Sequence, residues 1–171
     1  MSGDRLPLGT RVTKGPDWTW GNQGGGGPGT VVQHENKKHP YTWVWWDTGE
    51  YNRYPYGPDM GFHIWKTEEY PRIKLMHDPL DIGMIVKKGH SLENLETIRN
   101  ATKGVIIRRS QDRKRLKVRW DNGIITECKI NDVVYCDILT ESEEKFVSLS
   151  EELFGHSLGR EVKENVDARG R

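Results

Sequence analysis

The sequence is short of apolar residues, of cysteine and of long hydrophobic runs. Hydrophobic types fill 34% of the 171 positions and charged types 30%, a composition too poor for one large core but sufficient for two small β modules. No apolar run approaches the ~20 residues of a membrane helix, and the N-terminus lacks the basic-then-apolar order of a secretory signal. We therefore expect a cytoplasmic or nuclear protein without membrane contact.

Motifs for metal binding and catalysis are also missing. The two cysteines, Cys128 and Cys136, exclude a disulfide framework and a zinc finger with paired Cys-x-x-Cys ligands. No His-Glu-x-x-His spacing or Gly-x-Ser-x-Gly elbow occurs, and the glycine run 24–27 lacks the Lys-Ser/Thr of a phosphate loop. Both thiols are predicted to be buried rather than nucleophilic. We expect no enzyme activity from this chain, no cofactor and no metal.

Charge is distributed unevenly, although the net charge is only +1. Residues 1–80 carry nine basic and nine acidic side chains, residues 81–139 carry twelve and eight, and residues 140–171 carry five and eight. The middle of the chain is therefore mildly basic and its end acidic. This is not the overall charge of an obligate nucleic-acid-binding protein.

Three sequence blocks occur twice in the same order, at offsets of 74 or 75 residues. The matching pairs are 8–15 with 82–89, 29–32 with 104–107, and 44–49 with 118–123. Such agreement predicts two homologous modules. The first module spans residues 6–76 and the second module spans residues 80–139.

The last repeated block predicts a β-hairpin. In residues 116–120 apolar and basic side chains alternate, which is typical of a half-buried strand, and residues 121–123 (Asp-Asn-Gly) supply the turn. A two-residue turn would bury Glu127, whereas a three-residue loop with a glycine bulge sets Val118 opposite Thr126 and keeps one face apolar. We therefore predict the three-residue loop.

The predicted fold class is all-β: two tandem small open barrels of the Src-homology type, each with five short strands. The segments at Ile73 and Ile138 are expected to close them. Capping-box patterns predict a short C-terminal helix over residues 140–155, and the polar residues 156–171 are expected to form a disordered tail.

The first module contains an unusual pattern of tryptophan and glycine. Gly-Pro-Asp-Trp-Thr-Trp-Gly at 15–21 is followed by the glycine run and later by Trp-Asp-Thr-Gly at 46–49. Over about residues 8–75 this pattern resembles the Mind bomb/Herc domain. That family occurs in large ubiquitin ligases, and the resemblance implies a module that recruits a partner or substrate beside a separate catalytic domain.

The second module resembles the family less closely. It lacks the Asp-Trp-x-Trp-Gly loop and keeps only the Gly-x-x-Val-x-x-Gly start and the Trp-Asp-Asn-Gly hairpin, so we interpret it as a diverged copy. Mind bomb ligases have a zinc-binding finger between two such domains, and the link at residues 76–80 is too short for one. The tandem is therefore predicted to be direct.

Aromatic side chains of the first module are the candidate binding residues. They come from the outer face of the first hairpin, from the loop at 17–21 and from the stretch 51–61, which is predicted to be a turn-rich loop. The candidates are Trp43, Trp45, Tyr51, Arg53, Trp18, Trp20, Tyr54 and Tyr56.

Each of these groups also has a structural interpretation. The stripe of Trp43, Trp45 and Tyr51 either packs on the second module or the C-terminal helix, or binds a protein or peptide partner. In the loop, one tryptophan either plugs a barrel end while Asp17 caps a turn, or the loop forms a recognition edge. If this loop is extended, its two tryptophans point to opposite sides.

A second candidate surface is basic and lies in the second module. Its members are Arg108, Arg109, Arg113, Lys114, Arg115, Lys117 and Arg119. A solvated strand face is the commoner explanation, and a patch for an acidic partner or a nucleic-acid backbone is the alternative. No aromatic residues interleave with it, so stacking on bases is not supported.

These features together predict a non-catalytic, monomeric region of a multidomain ubiquitin ligase. It would bind a protein or peptide segment of a ubiquitination substrate through an exposed aromatic surface. Two alternatives stay open. One is a methyl-lysine reader in chromatin that cages the ammonium group with Trp43, Trp45 and Tyr51, and the other is nucleic-acid binding through the hairpin 108–119.

Overall fold

The computed structural model describes residues 5–36, 38 and 40–136, and this part of the chain is built from β-strands. The strands are β1 (Arg11–Lys14), β2 (Gly29–His34), β3 (Tyr41–Trp46), β4 (Tyr51–Gly57), β5 (Gly61–Phe62), β6 (Ile64–Lys66), β7 (Ile85–Lys88), β8 (Gly104–Arg109), β9 (Arg115–Trp120), β10 (Ile125–Lys129) and β11 (Val133–Tyr135). The all-β prediction is confirmed.

Helical structure in the described residues is limited to short 3-10 turns. They are Gln23–Gly26, His90–Leu92, Glu96–Ile98 and Ile130–Asp132. No helix in this described part is long and apolar enough to cross a membrane. The predicted C-terminal helix (140–155) and tail (156–171) lie outside the described residues, as does the segment at Ile138 that was expected to close the second module.

The strands form two antiparallel sheets with the same internal order. The first sheet has the order β5-β4-β3-β2-β1-β6, and the second has the order β10-β9-β8-β7-β11. If β4 is matched to β10 and β6 to β11, the two orders are identical except for the extra β5. The repeat in the sequence is therefore also a repeat in strand order.

The hairpin loops have the predicted register. Val118 pairs with Thr126, and Leu116 pairs with Cys128. The Trp120 N–H donates to the Ile124 carbonyl at 2.8 Å, which closes a three-residue loop. Because this register puts the apolar side chains of β9 on one face, the second sheet can bury that face completely.

A close approach of strands explains why β2 and β8 both begin with glycine. A Cβ added at Gly29 would lie 2.7 Å from Val44 Cγ1, and one added at Gly104 would lie 2.5 Å from Val118 Cγ1. Real Cβ atoms do not approach carbon this closely. The same steric requirement therefore operates at equivalent positions in both sheets.

Each sheet has its own apolar core. The first core consists of Leu6, Val12, Val31, Val44, Trp46, Tyr54 and Ile64. The second is larger, and its members include Ile82, Met84, Val86, Ile98, Ile106, Ile107, Leu116, Val118, Trp120 and Cys128. Val32 of the first sheet belongs to this second core, so the two sheets share buried apolar surface.

A bulge at equivalent positions of β2 and β8 brings the sheets together. The register shifts between Val31 and Gln33 in β2, and between Ile106 and Arg108 in β8. A bulge leaves one residue out of the strand ladder. Those extra residues are Val32 and Ile107, which are 3% and 1% exposed and lie in the shared core.

The contact between the sheets is reciprocal. A Cβ added at Gly9 would lie 3.2 Å from Val105, and one added at Gly83 would lie 2.5 Å from Thr30 Oγ1. Gly83 is the repeat of Gly9, and Val105 is the repeat of Thr30. Such exchange of equivalent contacts is typical of a two-fold interface in a homodimer. The tandem copies pack in the same manner within one chain.

Several details differ from expectation. The stretch 51–61 is not a turn-rich loop, because residues 51–57 form strand β4 and pair with β3. The strand that pairs with β1 is β6 rather than the segment at Ile73, whose neighbour Arg72 makes only an isolated bridge to Met84. Neither sheet closes into a barrel through strand pairing among the described residues.

Candidate functional site

The predicted aromatic stripe lies on the outer face of β3 and β4. Trp43 is opposite Arg53 and Trp45 is opposite Tyr51 in the strand pairing. The Tyr51 ring stacks on the Trp43 ring, with centroids 4.8 Å apart and planes 26° apart. The Trp45 ring lies 5.6 Å from that of Tyr51.

The second module covers much of this stripe. Trp43 and Trp45 are half-buried and pack against the shared core that contains Val32. Tyr51 is 38% exposed and is the accessible ring of the three. The geometry therefore agrees with the packing interpretation for both tryptophans, and partner binding by this stripe stays a prediction.

Arginine side chains of the second module stand over these rings. The Arg109 guanidinium lies 5.5 Å from the Trp45 ring centroid, and that of Arg108 lies 5.9 Å from the Tyr51 centroid. A methyl-lysine cage needs rings that converge on an empty centre. Because the rings stack and guanidinium groups lie against them, the arrangement disfavours the methyl-lysine reader.

Polar contacts hold the two sheets together beside the stripe. Arg108 donates a short hydrogen bond to the side-chain oxygen of Gln33, and the Tyr51 hydroxyl donates to the same oxygen at 3.3 Å.

Arg53 forms an exposed ion pair with Glu35 at 2.5 Å. The predicted binding residue Arg53 therefore already has a carboxylate partner, although its side chain is 49% exposed.

The loop at 17–21 folds back on the first core instead of being extended. The Trp18 and Trp20 rings lie 5.1 and 5.8 Å from the same ring, that of Tyr54. Because the loop is not extended, the expectation that its two tryptophans point to opposite sides does not apply. Asp17 accepts a hydrogen bond from the Phe62 N–H at 2.7 Å, so it ties the loop to β5. Trp20 remains 37% exposed.

Tyr54 is a core residue, which corrects its prediction as a surface binding residue. It is fully buried, accepts a hydrogen bond from the Trp46 indole N–H at 2.8 Å and donates one to Gln23 at 2.6 Å. Burial raises the pKa of Tyr54, so the hydroxyl stays protonated and can donate. A residue without exposed surface cannot contact a partner directly.

An aromatic group at the edge of the first sheet includes one predicted binding residue, Tyr56, and two residues that were not predicted, Phe62 and Trp65. This edge cluster consists of Tyr56, Phe62 and Trp65, whose rings are in edge-on contact at 5.3 and 5.7 Å. Trp65 is 51% exposed, the largest fraction among the seven tryptophans. The exposure of Trp65 follows from the alternation of side chains in β6, because Ile64 is buried and the next residue must point outward.

Several side chains of the basic hairpin already have partners within the chain. Arg108 bonds Gln33, and Arg109 and Arg113 contact Asp81 at 2.6 and 3.4 Å. Lys117 lies 3.8 Å from Glu127. The alternative of an anionic-partner patch is therefore weakened, because Arg108 and Arg109 serve the contact between the sheets.

Asp81 is the charged centre of the region between the sheets. Its side chain is 11% exposed and meets Arg72, Arg109 and Arg113. Burial by itself raises the pKa of Asp81, but the Ile82 N–H, Arg109 and Arg72 together hold this pKa below its ordinary value. The carboxylate is therefore ionised at neutral pH.

A cleft of about 610 Å³ lies beside Asp81. We call it the inter-sheet cleft, because Asp47 of the first sheet, the connecting residues 69–73 and Arg113 of the second module line it. On the side of the first sheet, Arg11 binds Asp47 through two hydrogen bonds of 2.7 and 2.5 Å. This site combines both modules, and no single repeat predicts it.

The two cysteines differ in burial, because Cys136, which was also predicted to be buried, is only partly buried. Cys128 is buried, as predicted, and burial together with Asp132 raises the pKa of its thiol to about 11. The thiol is therefore protonated at neutral pH. Among the described residues, no group of three or more His, Cys, Asp or Glu side chains is arranged to hold a metal ion.

Comparison with known proteins gives a local likeness. No protein-family model matches the chain. The human (Homo sapiens) E3 ubiquitin-protein ligase HERC2 is 40% identical to it over 67 residues. This match covers 39% of the chain and about 1% of that ligase. The chain therefore spans a very small part of the curated relative it matches.

Proposed function

We propose that this chain is a non-catalytic region of a ubiquitin ligase that recruits a partner for modification. The observation that carries the proposal is the 40% identity to part of a human ubiquitin ligase over 67 residues. The pattern at 15–21 and 46–49, which resembles the Mind bomb/Herc domain, also supports it. A cytoplasmic or nuclear location is part of the same proposal.

The gain from such a region is proximity. A recruited segment held beside a catalytic domain raises the effective concentration of its lysine side chains near the transfer site. This needs no chemistry from the recruiting region itself. A fixed relation between the two modules is useful here, and the shared core containing Val32 supports it.

The recruiting surface that we propose includes the edge cluster and the exposed Trp20. Large exposed aromatic side chains are typical of binding hot spots. Trp65 is 51% exposed and Met60 beside β5 is 41% exposed. Trp43 and Trp45 have a smaller part in this proposal, because their rings already pack at the junction of the sheets.

The finer architecture also belongs to this proposal. We propose that each sheet curls into a small open barrel of the Src-homology type. The consecutive strands β5 and β6 support this for the first sheet, because β5 pairs with β4 and β6 pairs with β1. The segment 61–66 thus touches both ends of the strand order.

The experiment joins the full chain through a flexible linker to a RING-type catalytic domain and maps the ubiquitinated proteins in cells. We expect the fusion to modify a set of proteins that the catalytic domain alone does not modify. Trp65→Ala and Trp20→Ala should each shrink this set. Ile125→Ala is the matched control, since it removes a 43% exposed apolar side chain from the second sheet.

Two results would contradict the proposal in different ways. If the fusion and the catalytic domain alone modify the same proteins, the chain does not recruit. If recruitment occurs but Trp65→Ala, Trp20→Ala and Ile125→Ala behave like the unmodified fusion, the chain recruits through another surface. Thermal unfolding of each variant checks that loss of recruitment is not loss of the fold.

A further inference from the structure

A second cavity lies on β8, β9 and β10 and is lined mainly by cationic side chains. We call it the basic cavity, and its volume is about 450 Å³. Among the described residues, its charged lining consists of Arg108, Arg109, Arg115, Lys117 and Glu127. Four cationic side chains therefore line this cavity against one carboxylate.

The contact between the sheets uses two of these cations to different extents. Arg109 pairs with Asp81 at 2.6 Å, so a carboxylate balances its charge. Arg108 donates to the amide oxygen of Gln33, which is a neutral group and does not balance a positive charge. The charge of Arg108 therefore still acts on the cavity.

Arg115 and Lys117 add charges that the junction does not use. Both point outward from β9, because Leu116 between them is buried. Arg115 is exposed and forms no ion pair with any described residue. Lys117 lies 3.8 Å from Glu127, whose side chain is 75% exposed, and so long a contact between exposed groups stabilises little. The three cations outside the Arg109 pair therefore face one carboxylate, which leaves two positive charges unbalanced.

Two further carboxylates stand near the ends of this hairpin. Asp112 accepts hydrogen bonds from the Ser110 hydroxyl at 2.6 Å and from the Lys114 N–H at 3.0 Å. Asp132 accepts one from the Lys129 N–H at 2.8 Å. Each has a lysine ammonium group near enough to act on its charge, that of Lys114 or Lys129. Neither carboxylate lines the cavity, so the surplus of positive charge there remains.

We propose that the basic cavity binds an extended acidic segment of the recruited partner, with carboxylates two residues apart beside Arg115 and Lys117. The proposal rests on the recruiting function and gives the chemistry of the recruited segment. A strand rises about 3.3 Å per residue, so alternate side chains of β9 and of an extended peptide have the same spacing of about 6.6 Å. Tyr51 is 38% exposed and lies 5.9 Å from the Arg108 guanidinium. It offers an aromatic surface to a residue that flanks the carboxylates.

The test measures binding of a fluorescent peptide, four glutamates alternating with serine, to the full chain by anisotropy. We expect Arg115→Gln to weaken binding about two- to fivefold, and Arg115→Gln/Lys117→Gln to weaken it about tenfold. Glu127→Gln should strengthen binding about twofold, because it removes a repulsive charge from the cavity. Arg99→Gln removes an exposed arginine elsewhere in the second module. It is the matched control and should leave binding unchanged.

The opposite signs of these variants make the proposal easy to overturn. Added salt should weaken binding, and a peptide with glutamine in place of glutamate should bind less tightly. If the double variant binds like Arg99→Gln, if Glu127→Gln weakens binding, or if the glutamine peptide binds equally well, the proposal is wrong. A gain of binding in Glu127→Gln cannot come from unfolding, so this variant decides the test even if the double variant is less stable.

A nucleic-acid backbone is the competing ligand for a basic surface. Two unbalanced charges suit a few carboxylates, whereas binding to a phosphate backbone grows with the number of phosphates that the protein neutralises. A single-stranded oligonucleotide with the same number of charges should therefore bind no more tightly than the glutamate peptide. Tighter binding of the oligonucleotide that is lost in Arg115→Gln/Lys117→Gln would overturn the proposal.

Failure of this proposal can be distinguished from failure of the recruiting function. The peptide assay reports on the basic cavity alone, whereas the ubiquitination assay reports on recruitment by any surface. If the fusion still modifies its own set of proteins while the glutamate peptide does not bind, the cavity proposal is wrong and the recruiting function stands. If the peptide binds with the expected response to the variants but no specific proteins are modified, the recruiting function is wrong and the cavity has another acidic ligand.

Discussion

The hairpins β3–β4 and β9–β10 share a backbone frame and differ in their side-chain chemistry. In each, a three-residue turn ends in a glycine of positive φ, 95° at Gly49 and 87° at Gly123. The tryptophan before each turn, Trp46 or Trp120, is fully buried. Repetition has therefore preserved what the frame requires: a glycine in the turn and a large ring beneath it.

The two copies use the other positions differently. Asp47 binds Arg11 across the first sheet, whereas the equivalent Asp121 accepts a hydrogen bond from the Thr102 hydroxyl at 2.6 Å. The residue equivalent to Arg11 is Ile85, so the second copy cannot form that ion pair. The frame is common to both modules, and the polar groups on its surface give each module its own role at the junction.

The largest expected effect tests whether the two cores are equivalent. Trp46→Ala and Trp120→Ala should each lower the free energy of unfolding by about 3–5 kcal/mol, because both remove a fully buried ring. Denaturant unfolding measures the change. Trp65→Ala is the control and should cost no more than about 0.5 kcal/mol. A much smaller loss for one of the buried tryptophans would mean that the two cores are not equivalent.

The next effect concerns the junction. Asp81→Asn should lower the free energy of unfolding at pH 7 by about 3 kcal/mol, because three arginines lose their carboxylate. The exposed Asp59→Asn serves as control. A loss as small as that of the control would mean that the ion pairs at Asp81 contribute little to stability.

The same carboxylate predicts a pH dependence. The pKa of Asp81 is lowered in the folded state from 3.8, so its stabilisation is present above that value and is lost as the pH falls through the folded-state pKa. The free energy of unfolding should therefore decrease as the pH is lowered below about 4. The decrease should be less steep in Asp81→Asn. Parallel acid profiles of the two proteins would contradict this.

A smaller effect tests the steric equivalence of the repeats. Gly29→Ala and Gly104→Ala should each cost about 1–3 kcal/mol through overpacking against the valine and tryptophan beneath. Gly27→Ala is the control, since a Cβ there meets nothing closer than 3.9 Å. Thermal or denaturant unfolding gives the comparison. A cost at Gly104 but not at Gly29 would show that only the second sheet is tightly packed.

The smallest effect compares the hydrogen bonds of the two buried indole N–H groups, those of Trp46 and Trp120, which have different acceptors. Tyr54→Phe and Thr126→Val each remove the acceptor of a tryptophan N–H, at 2.8 Å in both sheets. Each should cost about 1 kcal/mol. Tyr54→Phe should cost more, since it also removes the bond to Gln23. Equal costs would mean that the Gln23 bond adds nothing measurable.

Much of the fold could be predicted from the sequence, and less of the site. The alternation in 116–120 and the turn glycine predicted the register of the second hairpin, because a shift by one residue would bury Glu127. The status of Tyr54 was predicted wrongly. Its stretch contains glycine and proline, which suggested a turn, whereas strand pairing with β3 makes it a core residue.

The sequence alone determined the repeat, the second hairpin and the inward side of β9, since side-chain alternation and close packing are local rules. Only the tertiary structure decided what covers the outward sides. Trp45 and Trp65 both point outward from their strands, yet the second module covers Trp45, whereas Trp65 stays 51% exposed. The inter-sheet cleft arises in the same way, because Asp81 and its three arginines come from separate parts of the chain. Alternation tells which side of a strand is outside, but the neighbour on that side is fixed by the packing of one module on the other.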